Sequence, residues 1–273
     1  MSGGPPGCTV AVLGLGEAGH EFALGLAGTG VRVRGFDPAV PPPAGVEAAA
    51  SDADACRDAD LVLSLTTASE AEAALRQALA GLSRAAVDAD ANTAAAGLKQ
   101  RLAALAGNAG VSFADIAIMA PVPGRGLRAP MVASGPGAAA ASRILGACGA
   151  TVEILAGPAG AAASRKLLRS VFYKGMAAAA VEALLAAREA GCEDWLREHI
   201  AAELAAADGA TLTRLEEGSY RHALRRAHEM AAATELLGEL AVPARVARAS
   251  QLWLEDLAQR GAPAGGESIL RPP

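Results

Sequence analysis

The stretch CTVAVLGLGEAGHEFALGLAGTGVRVRGFD, residues 8–37, decides how this chain folds. It opens on an apolar run, CTVAVLG, that reads as a buried strand. Glycines follow at positions 14, 16 and 19. A helical stretch then runs to Gly28 and Gly30, and a second strand, VRVRGFD, closes on Asp37. Strand, glycine turn, helix and strand make one βαβ unit, and the pattern G-x-G-x-x-G falls where the first strand hands over to the helix.

Each glycine of that pattern has a physical job. Gly14 permits the tight turn, Gly16 lets the backbone approach a pyrophosphate, and Gly19 lets helix pack on strand. The helix N-terminus, through Glu17 and Ala18, offers backbone N–H groups and a positive dipole to phosphates. Asp37 lies 18 residues beyond Gly19, where a carboxylate accepts ribose hydroxyls and repels a 2′-phosphate. The expected cofactor is NAD. NADP stays open, because Arg34 is close enough in sequence to meet a 2′-phosphate. Gly14, Leu15, Gly16, Glu17, Ala18 and Asp37 are the first candidate cofactor-binding residues. Thr66 and Thr67 after the third strand, and Asn92 after the fourth, join them, because ligands of open parallel sheets bind outside the carboxyl ends of the strands. Asn92 and Ser69 are equally suited to capping the helices that follow.

Alternation of short strands with helices continues to about residue 156 and implies a parallel sheet. From Ala161 the character changes. A long helix runs to Gly191 with only Gly175 to interrupt it, and further helices are expected over 193–207, 209–217, 219–240 and 243–260, with no strand signal. The fold class is therefore α/β. An N-terminal dinucleotide-binding Rossmann domain (1–157) precedes an all-α domain (158–273), and the tail after Gly261 reads as loop.

The composition excludes several classes. A net charge of −5 without any basic run argues against nucleic acid as partner. Four scattered cysteines and four histidines show no ligand spacing, so neither a disulfide framework nor a metal site is expected, and a reducing cytoplasm is the natural setting. The most apolar helical stretch, MAAAAVEALLAA (176–187), contains Glu182 and is short for a bilayer span. Its apolar character suggests burial against a second subunit, hence a homodimer.

Only three lysines, Lys99, Lys166 and Lys174, stand among 24 lysines and arginines. An ammonium can release its proton where a guanidinium cannot. Arg165 and Arg169 flank Lys166, and like charge plus desolvation lowers an ammonium pKa toward a useful range. On a helix, Arg169, Ser170 and Tyr173 share a face with Lys166, a stripe of cation, hydroxyl and phenol suited to a small anionic substrate. Lys174 is turned about 80° from Lys166.

The order of these features resembles the β-hydroxyacid dehydrogenase superfamily, and within it the 6-phosphogluconate-dehydrogenase-like branch with its own C-terminal helical domain. GLGEAG matches the nucleotide fingerprint, MAPVPGRGLRAPMVASG (119–135) the substrate loop, and Gly160-AAASR-Lys166 the approach to the catalytic lysine. The segment 225–250 resembles the C-terminal helical domain. The resemblance implies an oxidoreductase that moves hydride between nicotinamide and a small hydroxy acid or oxo acid, with Lys166 as general acid/base. Lys174 and Tyr173 are the further catalytic candidates, and Pro123, Gly124, Arg169, Ser170 and His228 the substrate-binding ones. The chain departs from the family where it carries Pro123-Gly124-Arg125-Gly126 in place of a serine and paired glycines, Ser170 in place of asparagine, and His228-Glu229 in place of lysine-aspartate. Two alternatives stand beside this reading: an imine reductase of the same architecture, and an NAD(P)-binding protein without turnover.

Overall fold

The computed structural model describes residues 4–260, which form two compact units that divide after Ser170. The first unit is built on β1 (Thr9–Leu13), α1 (Glu17–Ala27), β2 (Arg32–Phe36), β3 (Glu47–Ala48), α2 (Asp52–Cys56), β4 (Leu61–Ser64), α3 (Ala71–Ala78), β5 (Val87–Asp90), α4 (Ala96–Asn108), β6 (Ser112–Ile118), β7 (Met131–Ser134), α5 (Ala138–Ala147) and β8 (Val152–Ile154). The strands make one sheet in the order β3-β2-β1-β4-β5-β6-β7-β8. The order turns around β1, so the crevice outside the carboxyl ends of β1 and β4 is the topological switch point at which such sheets bind ligands.

The sheet is not wholly parallel, contrary to the sequence-based expectation. β7 pairs antiparallel with β6, and β8 runs parallel to β7, so the last two strands are reversed. The cause is the connection. Residues 119–130 hold a loop and one turn of 3-10 helix, with no helix long enough to cross the sheet, so the chain doubles back. α5 then supplies a crossover, and β8 comes out parallel to its predecessor. Val10, Val12, Leu61, Leu63 and Ile116 on one face pack with Phe22 of α1, Ala11, Leu13 and Val62 lie on the other face, and all are fully buried. β3 and α2 were not expected from sequence, being two and five residues long.

α6 (Ala161–Glu189) starts in the first unit, where Ala162 packs with Ala117 and Val132, and continues past Ser170. The second unit adds α7 (Glu193–Ala206), α8 (Gly209–Arg221), α9 (Ala223–Glu239) and α10 (Arg245–Arg260). Its buried cluster is small, built on Ala186, Leu237, Val242 and Ala247. Glu182 on α6 caps α10 by accepting the backbone N–H groups of Arg245, Val246 and Ala247 at 2.6–2.8 Å. These bonds hold its carboxyl below the usual range against the opposing effect of burial. Many large apolar side chains of this unit are exposed, with Val171 at 73%, Trp195 at 64% and Trp253 at 63%. The length argument against a bilayer span is corrected here, because α6 as a whole runs 29 residues and is long and apolar enough to cross one. The loop-like tail read after Gly261 lies outside the described residues.

Candidate functional site

β1 ends in Gly14, whose φ of +86° belongs to the left-handed region. A Cβ at Gly14 would lie 2.6 Å from the Leu65 carbonyl oxygen. At Gly19 it would lie 1.9 Å from the Gly14 carbonyl oxygen, which is the close helix–strand packing this position was expected to provide. Gly16, the N-cap of α1, differs from both, since nothing lies within 4 Å of where its Cβ would be. No side chain caps α1. Open space over Gly16 and an uncapped helix start suit the two negative charges of a pyrophosphate.

Asp37 closes this loop onto the end of β2. Its Oδ2 accepts from the Leu15 N–H at 2.8 Å, and its Oδ1 accepts from Ala39 and Val40 at 2.8 and 3.0 Å. Burial pushes its carboxyl upward, but these three donors prevail and hold it below the usual carboxylate range. A cleft of about 430 Å3 opens here, lined by Gly14, Gly16, Asp37, Asp52, Thr66, Thr67 and Glu70. Asp52 is buried, and burial together with the Asp37 charge raises its carboxyl. Arg34 is engaged within the protein. It pairs with Asp54 at 3.2 Å and donates to the Arg57 carbonyl.

Thr66 also lines a second cavity, of about 220 Å3, with Ala18, Asn92, Ile118, Ala120, Val122 and Lys166. Asn92 is buried and does not cap α4, whose N-cap is Ala95. Its amide nitrogen instead meets Asp90 Oδ2 at 2.7 Å, and Ser64 Oγ and Thr66 Oγ1 at 3.2 Å each. Ser69 likewise does not cap α3; it meets Thr67 Oγ1 at 2.8 Å.

Beneath this cavity lies a charged cluster that sequence reasoning missed. Lys99 on α4 is fully buried, donates to the Asp90 carbonyl oxygen at 2.8 Å, and forms ion pairs with the carboxylates of Asp90 and Asp115. Asp115 Oδ2 accepts from the N–H groups of Gly160 and Ala163 at 2.9 and 3.0 Å and from the Ser134 hydroxyl at 3.2 Å. Ser134 Oγ in turn accepts from the Ala162 N–H at 3.0 Å. The first turn of α6 is thus capped by side chains from β6 and β7, whereas α1 has no such cap. Burial pushes the carboxyl of Asp88, also on β5, up to about 8, helped by Asp90 and opposed by Lys99. The available signal was aspartates inside otherwise apolar strands (VDAD and SFADIAI), which require a buried partner.

The remaining candidates are distributed as follows. Leu15 is buried and Glu17 exposed. Pro123 and Gly124 are exposed, and Gly124 lines a different cleft, beside Glu21, Leu24 and Arg125. Within that loop, Ala120 and Val122 are the residues that face the cavity of Lys166. Arg169 and Ser170 follow Lys166 at the end of the first unit. Tyr173, Lys174 and His228 belong to the second unit, and all three are exposed. Among the described residues, no group of three His, Cys, Asp or Glu could hold a metal ion.

Residues 9–157 match the family model described as the NAD binding domain of 6-phosphogluconate dehydrogenase, and residues 187–257 match a domain of unknown function. No curated protein matches. Among solved structures, a conserved hypothetical protein from Sinorhizobium meliloti 1021 is 28% identical, covering 96% of this chain and 92% of its own, with a TM-score of 0.59. A conserved protein of unknown function, described as structurally similar to 3-hydroxyacid dehydrogenases, is 27% identical over 93% of this chain and 99% of its own, with a TM-score of 0.58. A reductive aminase from Aspergillus terreus, solved with NADPH and ethyl levulinate, shares the fold at 19% identity, a TM-score of 0.75, and 93% and 95% coverage. The glycine loop, the switch-point clefts and a family match over more than half of its 273 residues make this chain a member of the β-hydroxyacid dehydrogenase superfamily, with an NAD(P)-binding domain of the 6-phosphogluconate dehydrogenase type and a C-terminal helical domain.

Proposed function

We propose that the protein oxidises a small hydroxy acid, or reduces the matching oxo acid, with Lys166 as general acid/base. The observation that carries this is the meeting of Lys166, Asn92 and Thr66 around one cavity, next to the cleft of the glycine loop. Gly14, Leu15, Gly16, Glu17 and Ala18 hold the pyrophosphate of the cofactor. Asp37 and Asp52 face its adenosine ribose, and Thr66, Thr67 and Asn92 face the nicotinamide end. NAD is favoured over NADP, because Asp37 and Asp52 line the ribose cleft while Arg34 is engaged by Asp54. When bound, the nicotinamide supplies or accepts the hydride. Lys166 takes the proton from the substrate hydroxyl in oxidation and returns it to the carbonyl oxygen in reduction. Arg169 and Ser170, one turn further along α6, bind the anionic end of the substrate with the loop at Pro123 and Gly124. Lys174 and Tyr173 are the next candidates for the proton step, and His228 for a substrate contact.

The all-α domain, assigned to residues 158–273, carries the dimer interface. Exposed Val171, Phe172, Trp195 and Trp253 support a second copy as its cover. The use of Glu182 as a cap for α10 supports a reading of α6 as part of a helical bundle rather than a bilayer span. Buried free thiols at Cys8, Cys56 and Cys148 fit a reducing cytoplasm. Imine reduction is a second reading, supported by Tyr173 seven residues after Lys166 and by the fold shared with the reductive aminase. Titrating the protein with NADH and NADPH, followed by turnover assays on hydroxy acids, oxo acids and imines, tests these assignments. Cofactor binding with no turnover on any of them would leave a nucleotide-binding protein without redox activity.

A further inference from the structure

The buried ion cluster under the second cavity touches neither cofactor cleft nor solvent, yet it is bonded to both walls of the cavity. On one side, Asp90 accepts from the side-chain amide and the backbone N–H of Asn92, at 2.7 and 3.3 Å. On the other, Asp115 and Ser134 accept the N–H groups of Gly160, Ala162 and Ala163, which open α6. Lys166 lies three residues beyond Ala163, so its Cα is fixed by the turn these bonds hold. Lys99 stands between the two aspartates. It pairs with both and is fully buried, as are they.

We infer that Lys99 is a positioning residue that sets the location of Lys166 relative to Asn92, by tying Asp90 and Asp115 to one buried cation. This inference rests on the reading of Lys166 as a site residue.

The physical case has three parts. First, two carboxylates this deeply buried repel each other unless a cation sits between them, and Lys99 fills that place. Second, Asp115 is a cap supplied from a strand and not from the residues next to the helix. It therefore fixes the start of α6 to the sheet as well as satisfying the helix's first N–H groups. Third, both oxygens of Asp90 and Oδ2 of Asp115 accept from the amide and peptide groups that must not move, which is how supporting residues lock a reactive side chain. A lysine suits this place because its single compact ammonium can meet a backbone carbonyl and two separate carboxylates, whereas a planar guanidinium favours one carboxylate, bound edge-on through two parallel N–H groups.

The small number of lysines makes the test direct. Reductive methylation with 13C-formaldehyde labels accessible amines, and NMR then follows each dimethylamine through a pH titration. Lys99 should stay unlabelled in the folded protein, and Lys166→Arg identifies the Lys166 signal. Ser134→Ala removes one cap acceptor, and Lys99→Met/Asp115→Asn removes one charge of each sign so that the cluster stays balanced. Thermal melts and NADH titration establish that each variant is folded and has its glycine loop intact. The expected result is a Lys166 resonance and titration midpoint displaced in both variants, with Lys174 unmoved and NADH affinity within about twofold of the parent. Rescue is expected in Asp115→Asn alone to the extent that the amide oxygen still accepts from Gly160 and Ala163. A Lys166 signal that superimposes on the parent in the folded double variant overturns the inference. So does a displacement in Ser134→Ala that is not matched in the double variant, since the cap would then act without Lys99. If the double variant does not fold, Asp90→Asn takes its place, with the same criterion. Loss of activity in Lys166→Ala is a separate question. If that variant stays active, the assignment of Lys166 to the chemistry fails while the positioning measured by NMR stands.

Discussion

Asp115 and Gly160 are joined by a 2.9 Å hydrogen bond from the Gly160 N–H to Asp115 Oδ2, across 45 residues of sequence. Through it a strand of the nucleotide domain holds the start of the helix that carries Lys166. Replacing Lys166 by alanine leaves this cap untouched. Turnover should fall by two or more orders of magnitude, the usual weight of a positioned acid/base, while NADH affinity stays nearly unchanged. Steady-state kinetics on the best substrate of the panel, set beside a fluorescence titration with NADH, separates the two effects.

The glycine loop offers a pair of substitutions with opposite signatures. Gly16→Ala meets open space in the protein, so its melting temperature should match the parent, whereas NADH affinity should drop about tenfold or more as the methyl group enters the pyrophosphate site. Gly14→Ala puts a Cβ at 2.6 Å from the Leu65 carbonyl with φ at +86°, so it should lose stability, by about 1–3 kcal/mol. Calorimetry and titration on both variants check the contrast.

Asp52 should act on cofactor choice. With Asp37 and Asp52 both lining the cleft proposed for the ribose, NADH is expected to bind at least about tenfold more tightly than NADPH, since like charge in one cleft costs several kcal/mol. Asp52→Asn should narrow that gap by improving NADPH binding, with little change for NADH. Asp37→Asn should weaken both, because it loosens the loop at Leu15.

Asp88 makes stability depend on pH in a defined direction. Its carboxyl lies near 3.8 in an unfolded chain and is pushed up to about 8 in the fold. Between those values the folded protein holds a proton that the unfolded chain has released. Stability from this group is therefore full below pH 4, falls as pH rises toward 8, and levels off above that. Asp88→Asn should flatten this decline, so denaturation at pH 5 and pH 8 should differ less in the variant than in the parent.

Light scattering at micromolar concentration should give a dimer. Val171→Glu, at a site 73% exposed in the single chain, should leave the circular dichroism spectrum intact and yield a monomer. A monomer peak for the unaltered protein would instead remove the interface assigned to the helical domain.

How much of this was legible in sequence follows from the distances over which each feature acts. The glycine loop and Asp37 are local, so their spacing alone located them at the ends of β1 and β2. The strand alternation gave the sheet, but strand direction after β6 depends on whether a crossover helix exists, and Met119–Pro130 is too irregular to say. The capping expected of Asn92 gave way to bonds with Ser64 and Thr66, 28 and 26 residues away. Lys99, Asp90 and Asp115 sit on three different elements, and nothing in their spacing pairs them. Only the charge of the two aspartates, set in strands that the core was bound to swallow, hinted that a partner existed.

The two ends of the sheet have a bearing on how this protein keeps apart from its neighbours in a crowded solution. β3 presents two residues and β8 three, and a ladder that short gives an incoming strand little to pair with. Both rims also carry charge: Glu47 with Arg32 at 2.8 Å at one end, and Glu153 with Arg165 at 3.7 Å at the other. Short outer strands and charged rims are the features by which sheets discourage the edge-to-edge pairing from which fibrils start.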